Sequence, residues 1–225
     1  MALDRFEILA ALNGLAHRDS KFEVFGAGAH RYRLNHAMPM EDVESLERHF
    51  EISLPDDYRV LITKIGNGGA GPYYGLFRLG EHDRQDTHCK WEEDSLVGDL
   101  SKPFGHDSVW NATEALWSKR PDWPLATPLA QQDQLMEAWD RELNESYWNP
   151  GIMDGAIPIC HMGCARRQWL VVTGPQRGSL WCDFRADEKG LFPMMNGQGH
   201  RVTFGEWYQT WLRDPAHGMK SLKFG

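Results

Sequence analysis

Three clusters in this chain carry residue types that could do chemistry. Cys160-His161-Met162-Gly163-Cys164 offers two thiols and an imidazole, soft ligands that suit zinc, with His88-Cys89 and Cys182 elsewhere as further donors. Paired C-x-x-C knuckles are missing, as is a helix of the H-E-x-x-H kind, so the plainer reading is thiols that fill a core, and a metal-dependent enzyme is the third-ranked class. Gly66, Gly68 and Gly71 satisfy the letters of the G-x-G-x-x-G dinucleotide fingerprint. That fingerprint works by aiming a helix N-terminus at pyrophosphate after a strand, whereas here a helical pattern precedes the glycines and Pro72-Tyr73-Tyr74 follows. A structural corner is expected instead, and no cofactor. Glu92-Glu93-Asp94 could supply paired carboxylates for acid/base work, but a run of like charge is more often a solvated face. No nucleophile elbow of the G-x-S-x-G kind is present, and no residue is assigned a catalytic role.

The elements that must position these clusters can be read from periodicity. Ile157–Cys160 and the apolar run Trp169-Leu170-Val171-Val172 predict strands, and Thr173 to Gly178 predicts a turn. Leu180, Cys182 and Phe184 alternate with Trp181, Asp183 and Arg185, which predicts a half-exposed strand with Trp181 on its outer, charge-flanked face and Trp169 in the core. The three strands form a meander, since a lone hairpin is marginal in water. Leu3, Phe6, Leu9 and Leu12 predict a helix that Gly14 limits, and extended segments are expected on either side of Gly26-Ala27-Gly28. Pro39 opens a helix with Val43, Leu46 and Phe50 on its inner stripe; Pro55 opens another with Tyr58, Leu61, Ile62 and Ile65. Gly66 ends it, a loop through Asn67, Gly68, Gly69, Gly71 and Pro72 follows, and Tyr73–Leu79 predicts a strand. Leu135, Met136, Trp139 and Leu143 predict a further helix, and Thr203-Phe204-Gly205-Glu206 a capping box opening a closing helix with Phe204, Trp207, Tyr208, Trp211 and Leu212 inside.

At 225 residues and 41% apolar, the chain can fill one good core. No run approaches a membrane span, no secretory leader is evident at the N-terminus, and the four cysteines show no disulfide framework, so reduced thiols and a cytoplasmic location are expected. The net charge of −8 is uneven: residues 1–80 carry 9 basic and 11 acidic side chains, residues 81–150 carry 6 and 15, and residues 151–225 carry 9 and 6. The excess sits in 81–150, which is expected to be an acidic insertion. An acidic chain lacks the basic footprint of nucleic-acid binding and suits a basic protein partner. Glu92, Glu93, Asp94 and Asp99 are the candidate steering residues, with Trp91 and its neighbours Trp110, Trp117 and Trp123 as apolar anchors, and the face around Trp181 as the fallback. Those carboxylates could equally be only solvated surface over buried tryptophans.

Several blocks together resemble one family. Leu54-Pro55-Asp56-Asp57-Tyr58, then Gly66-Asn67-Gly68-Gly69 and Gly71-Pro72-Tyr73-Tyr74-Gly75-Leu76, resemble the N-terminal signature of the SUKH superfamily, the group named for yeast cell-wall-assembly regulators and their bacterial relatives. Ile157 to Cys160, Gly163-Cys164, Trp169 to Gly174 and Gly178 to Trp181 resemble its sheet, and Phe204 to Leu212, with Trp207, its closing helix. His161 and Ala165 stand where bacterial relatives usually carry aspartate and glycine. The resemblance implies an α+β fold of helices on a mainly antiparallel sheet, a single domain with its core in about 32–80 and 151–212, and no enzymatic activity. It implies a bacterial immunity protein that neutralises a cognate toxin, often a nuclease; the alternative is a regulatory or scaffolding module with an intracellular protein partner. Oligomeric state is not legible.

Overall fold

The run Trp169-Leu170-Val171 forms the inner half of a strand because aromatic and β-branched side chains suit a pleated surface packed on both sides. It belongs to an antiparallel sheet whose spatial order is its chain order: β1 (Ala156–Gly163), β2 (Arg166–Val171), β3 (Leu180–Asp183), β4 (Leu191–Met195) and the short β5 (Lys223–Phe224). Around it lie α1 (Arg5–Arg18), α2 (Ala27–His30), α3 (Met40–His49), α4 (Asp56–Val60) continued by a π-helical turn over Leu61–Ile65, α5 (Thr113–Trp117), α6 (Leu129–Ser146) and α7 (Phe204–Arg213). The computed structural model describes residues 3–81, 91 and 96–224. Segregated helices on an antiparallel meander make this an α+β fold.

Both faces of the sheet are dry. On one face Ile157, Leu170, Leu180, Cys182 and Met194 join α4, the π turn and the aromatic stripe of α7, which buries Phe204, Trp207, Tyr208, Trp211 and Leu212 as expected. On the other, Trp169, Val171, Trp181 and Leu191 pack with Phe104 and Met153. The covering layer is residues 96–153, which take in most of the described part of the insertion expected over 81–150. Trp110 is tied to Leu191 by a pair of backbone hydrogen bonds (3.0 and 2.7 Å), and Gly155 donates to the Asp99 carbonyl (3.1 Å). The half-exposed strand expected at 180–184 is therefore corrected: every residue of β3 is buried, and Trp181 is 0% exposed. Its flanking charges are not in water either. Arg185 donates to both carboxylate oxygens of Asp183 (3.0 and 2.7 Å) and to the Tyr147 carbonyl (3.1 Å), and stacks on Trp148. Period-2 alternation thus misleads here because polar residues on the second face pair with each other.

Other expectations shift with backbone conformation. Asp4 caps α1 by accepting from the Glu7 amide (2.9 Å), Gly14 is passed without a break, and the buried stripe is Ile8, Leu12 and Leu15, which meets α7 and the π turn. Phe6 and Leu9, expected inside, face outward at 82% and 41% exposure. The extended segments expected across residues 22–34 are interrupted by left-handed residues at Phe22 (φ 56°), Arg31 (φ 50°) and Tyr32 (φ 56°), between which α2 forms. Tyr73 (φ 54°) and Gly75 (φ 91°) likewise prevent a strand over 73–79; only Leu76 pairs, bridging Gly69 on one side and Cys160 on the other. In α6 just Trp139 of the expected stripe is fully buried, and Leu135 is exposed. The capping box at α7 is half made: Thr203 accepts from the Glu206 amide, while Glu206 accepts from Asn196.

Candidate functional site

The glycine loop is a spacer between α4's π turn and the sheet. A β-carbon at Gly69 (φ 110°) would lie 2.5 Å from the Arg33 carbonyl, and one at Gly68 (φ 78°) 2.6 Å from that of Phe77. Asn67 accepts from the Leu79 amide (2.8 Å) and its carbonyl accepts from the Asn35 side chain (3.0 Å), so the loop is held from both sides. Gly71 would clash with Leu76 and Gly66 with Leu34. Pro55 starts α4, Tyr58 packs edge-on against Phe204 at 5.0 Å, and Gly174 and Gly178 take left-handed turns after β2. No helix N-terminus points out of this loop for a pyrophosphate to use.

The thiol cluster is dispersed. Cys160 is buried and its thiol donates to the Pro72 carbonyl (3.1 Å); burial pushes the Cys182 thiol up to about 12, with the nearby Asp183 charge adding to it. Cys164 is not core as expected but exposed, because it and Ala165 hold the two left-handed positions of the β1–β2 turn. The His161 ring lies 5.5 Å from that of Tyr74. Among the described residues no three His, Cys, Asp or Glu side chains converge as a metal site would need; Cys89 lies outside them.

Glu92, Glu93 and Asp94 lie outside the described residues. Asp99 is exposed but engaged: it accepts from the Ser101 amide (3.0 Å) and hydroxyl (2.6 Å) and pairs with Lys102, and these contacts, the Ser101 hydrogen bonds first, lower its carboxyl below the ordinary value. It is a turn-former. Trp91 is buried at 5% exposure against Phe50, and Trp181 is buried between Phe104 and Arg201, so neither is available as an anchor. Trp110 stacks on Tyr147 (5.5 Å) and Trp117 meets Tyr147 and Trp139 edge-on (5.3 and 5.7 Å). The insertion's indoles thus build a wall rather than a contact surface. Trp123 remains half-buried.

What that wall displays is α6. Trp139 roots it by donating to the Leu116 carbonyl (3.1 Å), and Glu142 pairs with Lys119. Outward, Asp133, Glu137 and Asp140 follow i, i+4, i+7 on one stripe, Glu145 is exposed two turns beyond Glu137 with the exposed Arg141 between them, and none of the four carboxylates has an ion pair among the described residues. Leu129, one turn before Asp133, is exposed on the same stripe and Leu125 is exposed just ahead of the helix, whereas exposed Leu135 lies on the opposite face, toward the Trp139 side. The spacing is legible in the sequence, though less dense there than Glu92 to Asp94.

No protein-family model, curated protein or solved structure matches the chain. Among the described residues no helix is long and apolar enough to cross a membrane.

Proposed function

We propose that this chain is a SUKH-type immunity protein: a non-enzymatic, cytoplasmic binding protein that neutralises a cognate toxin domain by holding a basic surface of it on α6. The observation that carries the reading is the acidic stripe. Like charges four apart weaken a helix by about 0.2–0.5 kcal/mol per pair, so Asp133 and Glu137 gain the helix nothing by standing one turn apart. A nuclease toxin is basic where it meets phosphate, and opposed charge speeds encounter and rejects wrong partners. The exposed leucines Leu125 and Leu129, at the start of the stripe, supply the apolar contact that charge alone lacks. The direct experiment co-expresses the chain with the toxin domain encoded beside its gene. Wild type should restore growth and co-purify with the toxin, and Glu137→Lys/Asp140→Lys should do neither while remaining folded. A neighbouring gene without a toxin domain, or full protection by the double variant, would count against the reading and favour a regulatory module.

A further inference from the structure

On a chain of net charge −8, one groove is basic. It runs between α1, the 31–37 segment and the π turn, has a volume of about 1060 Å³, and is lined by Arg5, Arg31, Arg33 and Lys64 with no carboxylate among its described lining. Arg5, Arg33 and Lys64 have no ion pair among the described residues, and Arg31 lies over the Phe22 ring at 5.8 Å. Carboxylates lie just beyond the groove, where Asp4, Asp56 and Asp57 line an adjoining hollow with Arg5 and Lys64; Asp4 caps α1, and Asp57 accepts from the Tyr58 and Gly205 amides (2.8 and 2.7 Å). The floor is apolar through Leu12 and Ile65, and the outward side chains of α1, Phe6 and Leu9, stand at its edge.

We infer that this groove docks an acidic, amphipathic peptide segment of a partner protein, its carboxylates meeting Arg31, Arg33 and Lys64 and a large apolar side chain covering Phe6 and Leu9. Charge complementarity selects an acidic occupant, because the groove's own lining offers Arg5, Arg31, Arg33 and Lys64 and no carboxylate, so an anion seated in it meets only positive side chains. Shape favours a peptide over a small molecule: the groove is an open trough along α1 and the 31–37 segment, not an enclosed pocket that buries most of a small ligand. The overall negative charge disfavours a nucleic acid, whose affinity rests on a wider basic footprint. A second contact surface of opposite sign to α6 goes beyond the toxin-binding reading and does not rest on it; either can fail alone.

The test is selection of a random displayed peptide library on the whole chain, with Arg33→Glu/Lys64→Glu as the counter-target. Both positions are exposed, so the variant should keep the wild-type circular dichroism and melting temperature. Enriched peptides should carry Asp or Glu around large apolar residues, bind the variant roughly tenfold more weakly, and weaken as salt rises. Phe6→Ala, which leaves the charge unchanged, should also weaken them. Enrichment without acidic bias, or equal binding to wild type and the charge-reversed variant, would overturn the inference. So would a random-sequence single-stranded oligonucleotide that binds the groove more tightly than the selected peptides.

Discussion

The two faces of the sheet are built by different kinds of sequence. The face against α7 and the π turn is made by periodic elements, with Trp207, Tyr208 and Trp211 at helical spacing and Leu170, Leu180 and Cys182 at strand spacing. The face against residues 96–153 is closed by irregular chain, through Phe104, Trp110 and Met153 and a buried Asp183–Arg185 pair. Periodicity reports burial only where one element supplies a repeated contact; a wall of loops and stacked indoles buries as much while leaving no period. The comparison also shows why α6 is presented firmly, since it stands on that wall.

The largest effects should fall on the irregular face. Asp183→Ala or Arg185→Ala leaves a buried charge without its partner and should cost about 3–5 kcal/mol, read from urea midpoints; Trp181→Ala should match Trp169→Ala at about 3–5 kcal/mol. A Trp181 loss near that of an exposed residue would break the symmetry between the faces. Next, Gly69→Val should lower stability by roughly 1–3 kcal/mol, because its left-handed backbone abuts the Arg33 carbonyl. Neither NAD nor ATP should raise the melting temperature of wild type.

His106 donates to the Ile152 carbonyl (2.9 Å) and packs beside Phe104 and Trp110; burial holds its pKa below the ordinary value, and the Arg185 charge acts the same way. The unfolded chain therefore binds more protons near the ordinary value of about 6.5, so this contribution is complete above that pH and is lost as pH falls below it. His106→Asn should flatten the slope of stability between about pH 7 and the lower folded value. Asp99, Asp187 and Asp19, all lowered, act on a separate window: their contributions are present above about pH 4 and lost on further acidification. The smallest folding effect belongs to α6, where Glu137→Lys/Asp140→Lys should change stability by under about 0.5 kcal/mol while slowing association with the proposed toxin partner at low salt.

The antiparallel meander, the helix opened by Pro55, the glycine corner and the closing helix were legible in the residues, because each combines a period with a stop or start signal. Trp169 was placed correctly in the core. Trp181 was not, since Asp183 and Arg185 satisfy each other in a way no alternation pattern encodes. Phe6 and Leu9 were placed inside because α1 carries two apolar stripes and spacing alone does not choose between them. Trp110, Trp117 and Trp123 read as candidate anchors, yet the ring contacts of Trp110 and Trp117 with Tyr147 and Trp139 depend on chain reversals that the sequence does not announce.

The claim on which the rest depends is that residues 96–153 form the sheet's second wall and hold α6 in place. Incorporating 5-fluorotryptophan and assigning the resonances by single Trp→Phe variants would measure it directly through the solvent isotope shift of each fluorine between H2O and D2O. Trp169 and Trp181 should show no shift, and half-buried Trp123 a clear one. A Trp181 resonance that shifts as far as that of Trp123 would place water on the second face and contradict the account.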